Sequence, residues 1–159
     1  MDETVIGLAE LLKQGGVFRD IEGNTSREVL TGLIQALPPV PPISRETLLE
    51  AVLEREALMS TGIGRGIAIP HPRNPIITAA DGQFTALAFL KNPVDWDSLD
   101  GERVDTLLLV VSASAKQHLH VLSEITFFSR QENFCRLLRE RASLEDILRF
   151  IREAEGSWK

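Results

Sequence analysis

The sequence predicts a three-layer α/β fold, with a central mixed β-sheet flanked by helices on both faces. Three observations lead there. Helical periodicity fills the first third of the chain, strand candidates occupy the middle, and helical periodicity returns in the last third. The run VDTLLLVV at 104–111 is nearly all apolar, as suits a strand buried on both faces. The chain has 159 residues, 43% hydrophobic and 25% charged, which suffices for one domain, 1–159, with a real core.

Each element has a local cause. Val5, Ile6, Leu8, Leu11 and Leu12 recur at helical spacing over residues 4 to 13, and Gly15 and Gly16 end that helix. Val17 to Ile21 is a weak strand candidate. Thr25 with Glu28 forms a capping box, and the helix it opens runs to about Ala36. LPPVPP is a stiff six-residue connector, too short for a domain boundary. Ser44 caps a helix through Leu48, Leu49, Val52 and Leu53 to about Leu58. Strands are expected at Gly66–Pro70, Gln83–Leu90 and Val104–Ser112, with Pro72, Pro75, Gly82, Pro93 and Gly101 in the loops between them. Helices at about 116–130, 131–141 and 144–154 close the chain. There is no internal repeat or low-complexity tract.

Composition excludes several classes. A net charge of −6 argues against a general nucleic-acid binder, which needs a basic surface. Cys135 is the only cysteine, so no internal disulfide can form, and a reducing cytoplasm is the expected location. The opening MDETVIGLAELLKQ carries acids where a signal peptide needs bases. The longest strongly apolar stretch, Leu107–Val111, is far too short to insert into a membrane.

The segment TGIGRGIAIPH, Thr61 to His71, carries most of the functional information. Three glycines and a short apolar run lead to a histidine held between Pro70 and Pro72. Proline fixes its own φ and pushes the residue before it out of the helical region. His71 is therefore expected to be extended at a strand end, on a rigid mount. A second pair, His118 and His120, opens the helix that starts near Lys116. At about 100° per residue the two point roughly 200° apart. The wheel puts His118 near the middle of the inward face with Leu122, Ile125 and Ser129, and His120 near Glu124 on the other side.

Other chemistries fit less well. The H-x-H pair diverges on a helix and no carboxylates stand at ligand spacing, so no metal site is expected and a metal-dependent hydrolase is a remote alternative. The glycines precede a strand and have the wrong third spacing for a dinucleotide fingerprint. Cys135 and Arg141 match the spacing of a cysteine-phosphatase loop, yet RLLRE between them is helical and lacks glycine, so Cys135 is expected to be partly buried and structural. No cofactor is implied. Arg55, Arg65 and Arg73 surround the histidine in sequence and suggest an anion site in an otherwise acidic protein. Neutral imidazole is a competent nucleophile near pH 7, and guanidinium matches phosphate oxygens in a fork. Together they suit transient phosphoryl transfer.

With REALMSTGIGRGIAIPH, KQHLHVLSEI and VDWDSLDGERVDTLLLVV, the chain resembles the fructose/mannitol-class enzyme IIA proteins of the bacterial phosphoenolpyruvate-dependent phosphotransferase system, nearest their nitrogen-related regulatory branch. The resemblance runs from about Val5 to Arg152. It implies that His71 accepts a phosphoryl group on Nε2 from phosphorylated HPr or its nitrogen-branch counterpart. It also implies that His118 helps position that group and that Arg55 supports the site. Arg65 and Arg73 come from composition alone. Pro72 and Arg73 follow His71 where many members have glycine. The resemblance leaves two roles open: transport, passing phosphate to a IIB domain, or phosphorylation-dependent binding of regulatory targets. With no IIB or membrane segment in this sequence, regulation is favoured.

Overall fold

The computed structural model describes residues 5–39, 43–77 and 82–155. Part of the LPPVPP connector lies outside them. The elements run α1 (Leu8–Gly15), β1 (Val17–Ile21), α2 (Ser26–Ala36), α3 (Arg45–Leu58), β2 (Gly62–Gly64), β3 (Ile67–Ala68), β4 (Phe84–Val94), β5 (Val104–Val111), α4 (Ala115–Ser129), α5 (Glu132–Arg139) and α6 (Leu144–Glu155). The strands form one sheet in the order β1-β4-β5-β3-β2. β1 and β4 are parallel, as are β3 and β5, while β4–β5 and β2–β3 are antiparallel. The mixed sheet expected from the sequence is present.

Alternation along the central strands divides the core into two layers. Ala86, Ala88 and Leu90 of β4, with Leu107, Leu109 and Val111 of β5, face α2 and α3. Leu87, Phe89, Leu108 and Val110 face α1, α4, α5 and α6. A strand between two such layers must be apolar at every position, which is why VDTLLLVV shows almost no alternation.

The helix starts follow their caps. Thr25 Oγ1 accepts from the Glu28 amide, and Ser44 Oγ accepts from that of Thr47. Each such cap contributes about 1 kcal/mol. The Glu28 carboxylate turns back to the amide of Asn24 rather than to that of Thr25, so the expected capping box is offset by one residue. α1 ends where Gly15 meets β4. A side chain on Gly15 would stand 2.1 Å from the Thr85 carbonyl oxygen, so only glycine allows this approach.

Three expectations need correction. The GIG segment is not a plain lead-in but a strand, β2, and it pairs back on β3 through a turn in which Gly64, Arg65 and Gly66 all have positive φ. The β4 strand continues past Leu90 through Pro93 to Val94, with its register shifted between Phe89 and Val94; the shift admits a proline that cannot donate to the ladder. Cys135 is fully rather than partly buried, and its thiol donates to the Ser129 carbonyl.

The inward face of α4 also differs from the helical wheel. It consists of Gln117, Val121, Glu124, Ile125, Phe128 and Ser129. His118 lies at its edge, Thr126 is exposed, and Glu124 is buried. Gln117 and Glu124 turn inward because both have partners there. Gln117 pairs with both the amide and the carbonyl of Ile6, and Glu124 Oε1 accepts from the Leu8 amide. Glu124 thus caps α1 from another helix, at an N-terminus whose own Gly7 offers no side chain.

Glu124 Oε2 is buried with no donor hydrogen-bonded to it, and the carboxyl beside it belongs to Glu155. Burial first, then Glu155, pushes the Glu124 pKa well above the usual carboxyl range. A folded-state pKa above the unfolded one stabilises the fold at low pH, and that contribution is lost as pH rises through the raised value. Glu124→Gln keeps an acceptor for Leu8 but does not ionise. Thermal melts from about pH 5 to about pH 9 should show a flatter dependence in the variant, with its relative gain at the alkaline end. A steeper alkaline loss would show that the carboxylate is the favoured form.

Candidate functional site

The site sits at one edge of the sheet because β3 and β5 are parallel. Their carboxyl ends lie side by side, and the chain leaving each carries a histidine. Beyond β3, the Pro70 carbonyl accepts from the Val110 amide, so the pairing with β5 extends to the residue before His71. Beyond β5, Ser114 caps α4 and places His118 in its first turn. The two imidazole rings are 4.7 Å apart between centroids, inclined at 57°. The structure brings His118, not His120, to His71. His120 turns instead toward Glu124, with Nε2 3.4 Å from Oε1.

His71 is only 8% exposed. Its Nδ1 lies 2.7 Å from the Ile69 carbonyl oxygen. A carbonyl only accepts, so Nδ1 carries the proton and donates, and the lone pair of the neutral ring is on Nε2. Burial lowers the His71 pKa, the bond to Ile69 opposes this, and the Arg55 guanidinium adds to the lowering. His118 is lowered to about 4, by burial first, then by His71, then by Arg55. Both rings are therefore neutral near pH 7. One neutral ring with a fixed tautomer is a nucleophile, and the second stands within reach of a group bonded to the first.

Arg55, in the last turn of α3, is electrostatically coupled to both histidines. Its Nη1 donates to the Met59 carbonyl at 2.6 Å, which closes the carboxyl end of that helix. Arg73 is exposed, and with Asn74, Ser112 and His118 it lines a small polar cavity beside the rings. Arg65 is elsewhere. It lies in the β2–β3 turn, beyond the amino end of β3, whereas His71 follows the carboxyl end. Its Nη1 lies 3.7 Å from Glu132 Oε2 and 3.7 Å from Cys135 Sγ, and its amide donates to Asp100. Proximity in sequence suggested one cluster of three arginines, but the strand between Arg65 and His71 separates them. Sequence reasoning missed the Ile69 carbonyl, which sets the tautomer; a backbone atom leaves no mark in composition. Among the described residues, no three His, Cys, Asp or Glu side chains converge to hold a metal ion. No helix among them is long and apolar enough to cross a membrane.

Residues 10–154 match the family described as phosphoenolpyruvate-dependent sugar phosphotransferase system, EIIA 2. The chain belongs to this family. Such IIA proteins are phosphotransferase components that relay a phosphoryl group through a phosphohistidine, and this IIA protein is one of them. It is 32% identical over 158 residues to the nitrogen regulatory protein of Pseudomonas aeruginosa, covering 98% of this chain and 94% of that one. It is 28% identical over 150 residues to the mannitol-specific phosphotransferase enzyme IIA component of Staphylococcus aureus, covering 94% and 100%. The crystal structure of the nitrogen regulatory protein IIA-Ntr from Neisseria meningitidis superposes with a TM-score of 0.75 at 26% identity, covering 90% of this chain and 97% of that one.

The two lowered pKa values have a common consequence. A buried neutral imidazole stabilises the fold fully above its unfolded value of about 6.5. That contribution is lost as pH falls toward the folded value, about 4 for His118. Titration followed by NMR should show both midpoints below that of a free imidazole, with His118 at about 4, and Arg55→Gln should move both midpoints upward. Unmoved midpoints would show that the guanidinium does not reach the rings.

Proposed function

We propose that His71 is the phosphoacceptor of this IIA protein, that His118 positions the phosphoryl group, and that the chain serves a regulatory rather than a transport branch. The observation that carries the acceptor assignment is the 2.7 Å contact of Nδ1 with the Ile69 carbonyl. It leaves Nε2 as the nucleophilic atom and a second neutral ring alongside. Nε2 attacks the phosphorus of a phosphohistidine on HPr or its nitrogen-branch counterpart. The bond to the donor nitrogen breaks as the new P–N bond forms, and the donor ring, already protonated on its other nitrogen, leaves as neutral imidazole. The proton stays on Nδ1, donated to the Ile69 carbonyl, throughout. The phosphorylated ring gains positive character, which the Ile69 carbonyl dipole stabilises. His118 donates to a phosphoryl oxygen, while Arg55 and Arg73 offset the incoming charge.

The regulatory reading is supported by the 32% identity to a nitrogen regulatory protein across 98% of this chain. The transport reading, with a IIB domain as the next acceptor, is supported by the mannitol-specific relative. Phosphorylation adds about −1.5 to −2 charges, by analogy with phosphoesters. Attached to His71, that charge reverses the local field without displacing the packed core. A partner attracted to the dephosphorylated site is then repelled.

Incubation with the general phosphotransferase components and labelled phosphoenolpyruvate tests the assignment. The label should be acid-labile and base-stable. It should vanish in His71→Ala, slow in His118→Ala, and be unchanged in His120→Ala and Arg65→Ala. Label that persists in His71→Ala removes the acceptor assignment. Pull-downs with wild type, His71→Ala and His71→Asp separate the two roles: a partner lost only with the charge mimic marks a switch, and identical partners for all three mark a transport relay.

A further inference from the structure

The stripe that buries Leu48 and Val52 of α3 returns, four residues on, to Glu56. A carboxylate at that place in an amphipathic helix should be paired, and it is. Glu56 Oε1 accepts from the Thr61 hydroxyl at 2.6 Å, and Oε2 accepts from the Thr61 amide at 2.8 Å. Thr61 is buried, and its Oγ1 also accepts from the Trp96 indole N–H at 3.3 Å. On its other side, the Thr61 carbonyl accepts from the Ile69 amide at 3.0 Å. Ile69 is the residue whose carbonyl accepts the hydrogen bond from His71 Nδ1.

We infer that Glu56, through Thr61, is a positioning residue for phosphoryl transfer: it fixes the Ile69 carbonyl and with it the tautomer and orientation of the His71 ring. The inference rests on the reading of His71 as the acceptor. Glu56 touches neither ring and acts only through the chain Glu56–Thr61–Ile69–His71. It adjoins Arg55, so one two-pronged carboxylate ties the helix end that carries Arg55 to Thr61, the residue that pairs with Ile69. The geometry between cation and ring is thereby held from both sides.

Two bonds from one ionised acceptor are worth more than two neutral ones, and each resists the loss of the other. Without them Ile69 keeps its partner on Thr61, but Thr61 itself is no longer tied to α3. The Ile69 carbonyl can then turn, and the His71 proton can redistribute between Nδ1 and Nε2. A ring with the proton on Nε2 has no lone pair to offer the phosphorus. A displacement of about 1 Å at a reacting atom costs on the order of 100-fold in rate.

The test joins a spectroscopic readout to a kinetic one. Nitrogen-15 NMR of the His71 ring should show a protonated Nδ1 and a bare Nε2 in the wild type. In Glu56→Ala the two signals should move toward each other as tautomers mix, and the rate of phosphorylation should fall about 10-fold to 100-fold. Glu56→Gln keeps an acceptor oxygen but sets an amide N–H₂ against a second donor, so it should show a smaller shift of the same sign. It also serves if Glu56→Ala fails to fold. Thr61→Ser keeps every bond and should retain the wild-type tautomer, while Thr61→Val loses the hydroxyl and should not. A folded Glu56→Gln with wild-type ring signals and wild-type rate overturns the inference. So does a rate loss in which the tautomer is unchanged, since Glu56 would then act by another route. Failure of the acceptor reading looks different: the label appears away from His71 even in the wild type, whatever the ring signals show.

Discussion

The hydrogen bond from His71 Nδ1 to the Ile69 carbonyl is the interaction on which the rest of the site depends. A neutral imidazole has one proton for two nitrogens, and chemistry at Nε2 requires that proton to be elsewhere. A carbonyl two residues back satisfies this only if the intervening backbone is rigid. Pro70 and Pro72 restrict it from within the segment, and the bond from Val110 to the Pro70 carbonyl ties it to the central strand. The topology does the rest. Because β3 and β5 run in parallel, the two histidines leave the same edge of the sheet, and the core on either side need only hold the strands in register.

Burial and charge then act together. Both rings lose water, which favours their neutral forms, and Arg55 reinforces this by disfavouring a second cation nearby. In the proposed reaction, the guanidinium that adds to the lowering of both ring pKa values would also offset the charge of the incoming phosphoryl group. On that reading one residue would serve the site both before and during transfer. The bond to Met59 that holds it is at a helix terminus, so its position follows from α3.

α4 links the site to the opposite layer of the molecule. His118 stands in its first turn, while one turn on either side of Val121 its buried face carries Gln117 and Glu124. Both of these polar groups are committed to the segment entering α1. This explains why a helix with an ordinary apolar core packs two large polar residues inward: they satisfy backbone groups that α1 cannot satisfy itself. The cost is a buried Glu124 carboxyl beside the half-buried Glu155, and burial with that neighbour raises the Glu124 pKa.

The sequence by itself determined the layered α/β architecture, most helix starts and the identity of the two histidines. These are legible because they depend on short-range rules: capping oxygens, apolar periods and the steric action of proline on its neighbours. Only the tertiary structure decided which groups meet. Arg65 is six residues from His71 in sequence yet belongs to another end of the sheet, because an extended strand separates its ends faster than any other conformation. The short β2 strand was hidden by glycines that read as a loop, since a hairpin of three and two residues leaves no period to detect. The helical wheel set Glu124 on the side away from His118, because a wheel records position and not partners. The Ile69 carbonyl could not be read at all: every residue carries the same backbone acceptor, and only the fold determines which one a histidine finds.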